Sequence, residues 1–236
     1  MKKILLLSTI LLFGLSAYSH NPCNVTDKGV MINGVRWATR NVDKPGTFAE
    51  SPESFGMLFQ WNLKKGWNAT DEEREGWDSS TISGIEWREE NDPCPEGWRV
   101  PNHRELFSLE ETDSEWTTQN GVNGRLFGTA PYQIFLPAAG LLSHTVVTLY
   151  GVSGDVRFSD ANERGRYWSS TGGISPDRWG AWAMLFNNRH VIVGNVNPRP
   201  DGYSVRCVAL GREVLVEVEY HFEVLVEIEY EIFETK

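Results

Sequence analysis

Five histidines, three cysteines and acidic pairs such as Glu89-Glu90 and Glu110-Glu111 are the residues of this 236-residue chain whose types could take part in catalysis or metal binding. Their spacing assembles none of the common catalytic sets. No G-x-S-x-G, H-E-x-x-H, phosphate-cradling glycine loop or C-x-x-C occurs. The histidines are scattered, whereas zinc wants three or four convergent ligands, so no metal site is expected. His103, two residues before Glu105, reads as part of a helix cap. Glu89-Glu90 and Glu110-Glu111 are neighbours that point apart on most elements and read as solvated surface. A glycosidase pair needs two carboxylates facing across a cleft, which this spacing does not suggest. No catalytic residue, metal or cofactor is therefore expected. Of the ten tryptophans, Trp37, Trp61, Trp98 and Trp168 lie inside apolar motifs and read as core. Trp179 follows Ser175-Pro176-Asp177-Arg178 in a loop and is the candidate for contact with a partner.

The first nineteen residues have the three parts of a secretory signal: Lys2 and Lys3, the apolar run Ile4 to Leu15, and Ala17-Tyr18-Ser19 as cleavage site. The run falls short of the ~20 residues that cross a bilayer, so an anchor is not expected. Pro22 before Cys23 does not suit lipidation. In an exported chain, three cysteines form one disulfide and leave one thiol. Cys94 and Cys207 sit in strongly patterned segments and are the expected pair, while Cys23 lies in a polar stretch after the cleavage site. Closing so long a loop is worth about 4–5 kcal/mol in the chain-entropy model, before strain. The net charge is -10, and -6 of it falls in residues 211–236, where eight Glu stand against Arg212 and Lys236. Nucleic acid and anionic membranes, which need a basic surface, are excluded as partners.

The elements that position these residues are mostly extended. Asn33-Gly34 sets a hairpin in VMINGVRWATR, and FGMLFQWN at 55–62 packs inside. Residues 64–90 are a polar, Trp-dotted insertion expected at the surface, with a helical acidic patch at 71–75. After the turn Pro93 to Pro101 a helix is expected, capped by Asn102 with Glu105, and with Leu106 and Leu109 on its apolar face. IFLPAAGLL at 134–142 reads as a buried strand bent at Pro137 and Gly140. Period-two spacing through Trp182, Met184, Phe186, Val191, Val193, Tyr203, Val205 and Cys207 implies three antiparallel strands. The tail repeats itself, EVLVEVEYHF then EVLVEIEYEI over 213–232, with apolar residues on one parity and mostly Glu on the other. A lone strand of this kind is an association hazard.

Taken together, GVRWATRNV, FGMLFQWN, CPEGWRVPNHREL, LPAAG, YWSST and GYSVRCV resemble the Fibrobacter succinogenes major paralogous domain family over about residues 30–210. The resemblance implies an exported bacterial protein of α+β class. Its fold is C-type-lectin-like: a small twisted antiparallel sheet with flanking helices and long loops, here followed by the strand-forming tail. The implied organisation is a signal peptide at 1–19, a linker at 20–29, the domain at 30–210 and the tail at 211–236. It implies surface or periplasmic display of a ligand face at 172–202, with Arg178, Trp179, Arg189, His190, Ile192 and Val196 as contacts to a glycan, peptide or protein. In some exported members of this fold that segment is a variable region rewritten by a diversity-generating retroelement. Asn187, Asn188, Asn195 and Asn197 are retained here, while His190, Ile192, Gly194 and Val196 stand where relatives often show Asn. An enzyme of the formylglycine-generating kind and a structural subunit assembled through 213–232 are the competing readings.

The tail reading is the most direct to test. Hairpin closure is disfavoured because Tyr220-His221-Phe222-Glu223 lacks a turn residue, so pairing between molecules is expected. Truncation after Gly211 should turn a tail-dependent oligomer into a soluble, folded monomer; an unchanged elution volume at equal concentration excludes the assembly role.

Overall fold

The structure is a computed structural model and describes residues 27–71, 74–80, 82–143, 146–148, 151–153, 156–173 and 180–211. The expected signal peptide, Cys23, Arg178, Trp179 and the repeat at 213–232 lie outside the described residues. Strands β1 (Val30–Ile32) and β2 (Val35–Trp37) form the expected hairpin. Asn33 and Gly34 turn it at φ 49° and 76°, the left-handed pair that a two-residue turn needs. Next come β3 (Leu58–Gln60), β4 (Gly66–Trp67) and β5 (Trp98–Arg99), then helix α1 (His103–Glu110). A meander of β6 (Ser114–Gln119), β7 (Val122–Thr129) and β8 (Tyr132–Pro137) follows. The short strands β9 (Leu141–Ser143), β10 (Val146–Thr148), β11 (Gly151–Ser153) and β12 (Arg157–Ser159) lead to a second meander. This consists of β13 (Gly165–Gly172), β14 (Gly180–Phe186) and β15 (Val191–Pro198). β16 (Gly202–Tyr203) and β17 (Val208–Ala209) end the described chain.

Among the described residues the strands form five sheets, with orders β1-β2-β17-β5, β12-β9-β16-β3-β4, β6-β7-β8, β13-β14-β15 and β10-β11. The first joins the two ends of the domain, since β17 pairs with both β2 and β5. Cys94–Cys207 ties the same place covalently across 113 residues. The expected closing strand SVRCV is strand only at Val208–Ala209. Upstream, Ala38 N donates to Cys207 O, Val42 N to Val205 O, and Trp168 N to Ser204 O, so this segment threads between sheets.

The α+β expectation, a C-type-lectin-like fold with helices flanking a small sheet, is corrected by this architecture. The described residues are mostly β, with one α-helix and one 3-10 turn at Glu89–Asn91 against strands numbered to β17. The reason is periodicity. Apolar residues recur at two almost everywhere, and only 102–110 combine a cap with Leu106 and Leu109 buried on one helical face. The insertion at 64–90 lies mostly at the surface, as expected, but it is anchored inward by tryptophans. Trp67 and Trp87 are buried in it, Trp67 rests against Trp77 at 4.9 Å, and Trp87 meets Trp61 edge-on at 6.1 Å. The described residues of 71–75 are not helical.

One core cluster gathers Trp61, Trp87, Trp168, Tyr203 and Phe59; a second gathers Trp37, Leu106, Leu109, Phe127, Tyr167, Met184 and Phe186. Both carry a buried phenol. Tyr167 donates to Pro137 O at 2.8 Å, and burial pushes its hydroxyl up to about 12. Burial raises Tyr203 too, helped by the Asp201 carboxylate. An unfolded tyrosine ionises near ~10, so the folded state holds these protons more tightly. Stability is therefore whole below about pH 10 and lost as pH rises towards 12, by at most ~1.4 kcal/mol per unit for each phenol. Denaturant midpoints followed by tryptophan fluorescence should be flat from pH 8 to 9.5 ~ and fall steadily by pH ~11.5. Equal midpoints at both ends would mean that the phenols ionise as freely folded as unfolded.

Candidate functional site

The segment richest in chemical groups, Asp92 to Glu110, uses them on itself. Asp92 accepts from Cys94 N at 2.8 Å and Val100 N at 3.0 Å, shaping the turn before β5, although burial raises its pKa. Arg99 grips both oxygens of Glu105 at 2.8 and 2.5 Å, which raises the guanidinium pKa. Glu105 also accepts from Asn102 N, and Asn102 Oδ1 from Glu105 N, a reciprocal capping box. His103 leaves the cap by its ring, which lies 4.4 Å from that of Trp182 and reaches Val193 O at 3.2 Å. Glu110, expected in solvent, is half-buried, engages the Val193 backbone and is raised by that burial. Side chains of α1 thus clip the outer edge of β15, where an open strand would otherwise invite pairing.

The groups left available lie at the far end of the β13-β14-β15 sheet. Arg166, Leu185 and Ile192 stand in one cross-strand row, Arg166 opposite Leu185 and Leu185 opposite Ile192. This row continues the face that carries Trp168, Ala183 and Ala181 into the core, with Arg166 and Leu185 partly buried and Ile192 exposed at its edge. A cleft of about 140 Å³ opens here, lined by Arg164, Gly165, Arg166, Leu185, Phe186, Asn187, His190 and Ile192. Gly165 separates the two arginines because the Phe186 ring fills its place: a Cβ there would lie 2.1 Å from Phe186 Cζ.

Two turns wall the cleft, and strand β7 pins both. At 160–164, Asp160 and Asn162 take φ 63° and 60°. Asn162 Oδ1 accepts from Asn123 N, and Asn162 O from Asn123 Nδ2, each at 3.0 Å. At 187–190, Asn187 Oδ1 accepts from the backbones of Arg189 and His190 at 2.8 and 2.9 Å. Arg125, whose pKa burial lowers, donates to Asn187 O at 3.4 Å. Asn123 and Arg125 are two apart on one strand, so one face of β7 holds both walls.

The expected contacts do not form one surface. Arg189, His190 and Ile192 come together at the turn, and Ile192 is 43 % exposed. Val196 is elsewhere. It pairs with Trp182, three positions from Leu185, which puts it on the opposite face. Its side chain packs where a Cβ on Gly173 or Gly180 would come within 2.8 or 2.2 Å. Nor is 172–202 a run of loops, since β14 and β15 occupy most of its described residues. Asn197, expected to be variable, is buried, with its amide on Asn195 O and its Oδ1 facing Tyr203 Oη. Arg164, Arg166 and Asp160 escaped the sequence reading, and their signal was the Arg-Gly-Arg spacing that places two cations on one strand face.

No family model, curated protein or solved structure matches this chain.

Stability should separate the two groups of residues. Val196→Ala should cost about 1 kcal/mol, the loss of two half-buried methyl groups. Arg189→Ala and His190→Ala, at an exposed tip, should stay within ~0.5 kcal/mol of wild type. Equal midpoints for all three by chemical denaturation would return Val196 to the surface.

Proposed function

We propose that the protein is an exported, non-catalytic binding module that presents the end of the β13-β14-β15 sheet, with Arg189, His190 and Ile192, to a ligand. The observation that carries this reading is the cleft itself: two turns, pinned by one strand, hold cationic and apolar groups around an opening that the core leaves uncovered. Preorganised walls keep the entropy cost of binding low. The Cys94–Cys207 disulfide fits an oxidising compartment, and no helix among the described residues is long and apolar enough to cross a membrane.

Tolerance of substitution supports display. Asn188, Arg189, His190, Ile192, Gly194 and Asn195 are exposed, and a Cβ on Gly194 would meet nothing within 4 Å. These positions accept changed side chains without touching the core, as a variable recognition surface requires. The variable region proposed from the family resemblance is accordingly narrowed to them, without the buried Asn197.

An array of glycans and proteins probed with the full chain is the test, run beside the triple variant Arg189→Ala, His190→Ala, Ile192→Ala. The variant should keep its denaturation midpoint and lose the captured ligand. Undiminished capture by a folded variant would place the ligand face somewhere else.

A further inference from the structure

We propose that this cleft is a carboxylate site for an extended acidic peptide that sets Glu and aliphatic residues along one face, an inference that rests on the binding reading above. Two guanidinium groups share one carboxylate here. Arg166 Nη2 donates to Asp160 Oδ2 at 2.7 Å, and Arg164 Nη1 approaches the same oxygen at 3.8 Å. Arg164 keeps 55 % of its side chain exposed, so its N–H groups remain open to an incoming acceptor. Arg166 is only 15 % exposed, and its Nε is buried with no hydrogen-bond partner. A buried donor left unpaired is costly, so the Arg166 guanidinium keeps bonding capacity beyond its pair with Asp160. Of the polar side chains lining the cleft, Asn187 already spends its Oδ1 on the two backbone N–H groups of its own turn. The remaining lining is two arginines, His190 and the apolar Leu185, Phe186 and Ile192.

That inventory discriminates between ligand chemistries. A neutral sugar needs several donors and acceptors together, and this lining offers chiefly donors between apolar walls. A carboxylate beside a branched aliphatic group meets both kinds of wall, and arginine is the side chain that binds carboxylates with two parallel bonds. In an extended peptide, residues i, i+2 and i+4 share a face, about 7 Å apart at each step. The chain carries such a face twice, as Glu213, Leu215, Glu217 and again as Glu223, Leu225, Glu227. The tail of a second copy of this chain is therefore the occupant, with a foreign segment of the same pattern as the other outcome of the test.

The test measures fluorescence anisotropy of a labelled peptide with the sequence of Glu213–Tyr220 titrated with the full chain. Saturable binding is expected, weakened by salt. It should fall about tenfold or more in Arg164→Gln and in Arg166→Gln, the change for one lost charge-assisted hydrogen bond. Replacing the three Glu of the peptide by Gln should weaken it at least as much. Should Arg166→Gln fail to fold, Arg164→Gln, on a half-exposed side chain, still decides. Elution volume identifies the source: an oligomer that excess peptide dissociates points to a second copy, and a monomer that binds the peptide points to a foreign segment. Equal affinity of the Gln peptide, or of Arg164→Gln, overturns the carboxylate site. If an array ligand is still lost in Ile192→Ala in that case, the binding reading survives and only its chemistry is wrong.

Discussion

Arg206 lies fully buried where the two ends of the domain meet its middle. Its Nε and Nη2 donate to Asn41 Oδ1 at 3.0 and 2.8 Å, its Nη1 to Ala38 O at 3.1 Å, and its Nη2 also to Phe135 O at 3.0 Å. The residue before the disulfide cysteine thereby grips the segment after β2 and the inside of β8, with the Tyr167 hydroxyl of β13 alongside. Burial lowers the guanidinium pKa, and the nearby Asp27 and Tyr167 oppose that fall. A buried charge is tolerated only when its hydrogen bonds are made, and here neutral amide and carbonyl oxygens make them. Each of these oxygens has the right position only in the assembled fold. The interaction therefore acts as a check on the whole topology rather than on one element.

Arg199 repeats the device on the other side of the sheet system. Its guanidinium lies 4.1 Å from the centre of the Trp61 ring and donates to Gly180 O and Ile82 O. Trp61 in turn donates to Ser169 O, and Trp168 to Phe59 O. A core of short strands has few ladder bonds per element, so these side-chain bonds to backbone carbonyls supply the connections that longer strands would otherwise provide. Indoles suit the task because each combines a large apolar area with one directed donor.

The six motifs that carry the family resemblance fall on this scaffold. Trp37, Asn41, Phe59, Trp61, Trp168, Ser169, Tyr203 and Arg206 are all buried, and none lines the cleft. The cleft takes its residues from the stretches between motifs, at 164–166 and 185–192, and its walls from turns anchored on β7. Scaffold and cleft are thus separate in sequence. Asn123 and Arg125 hold the turns through Asn162 Oδ1 and the carbonyls of Asn162 and Asn187, and leave the exposed side chains at 188–190 outside these bonds.

Local rules alone determined several features of this protein. The Asn33-Gly34 hairpin, the Asn102–Glu105 cap and the alternation through Trp182, Met184 and Phe186 follow from residue type and short-range spacing. They were legible because turn dihedrals, cap bonds and strand parity depend on a few neighbouring residues. The balance of fold class was misjudged because the flanking helices were taken from the resemblance, whereas the period-two spacing of the apolar residues, which the strands follow, already pointed to sheet. The site was half legible. Exposure at Arg189, His190 and Ile192 followed from a polar turn, but a bulge between Ala183 and Leu185 shifts the register of β15 and sends Val196 to the other face. Arg164 and Arg166 joined His190 only through the pairing of β13 with β14 and of β14 with β15. Residues more than twenty positions apart become neighbours through long-range hydrogen bonds, and that is a property of the tertiary structure alone.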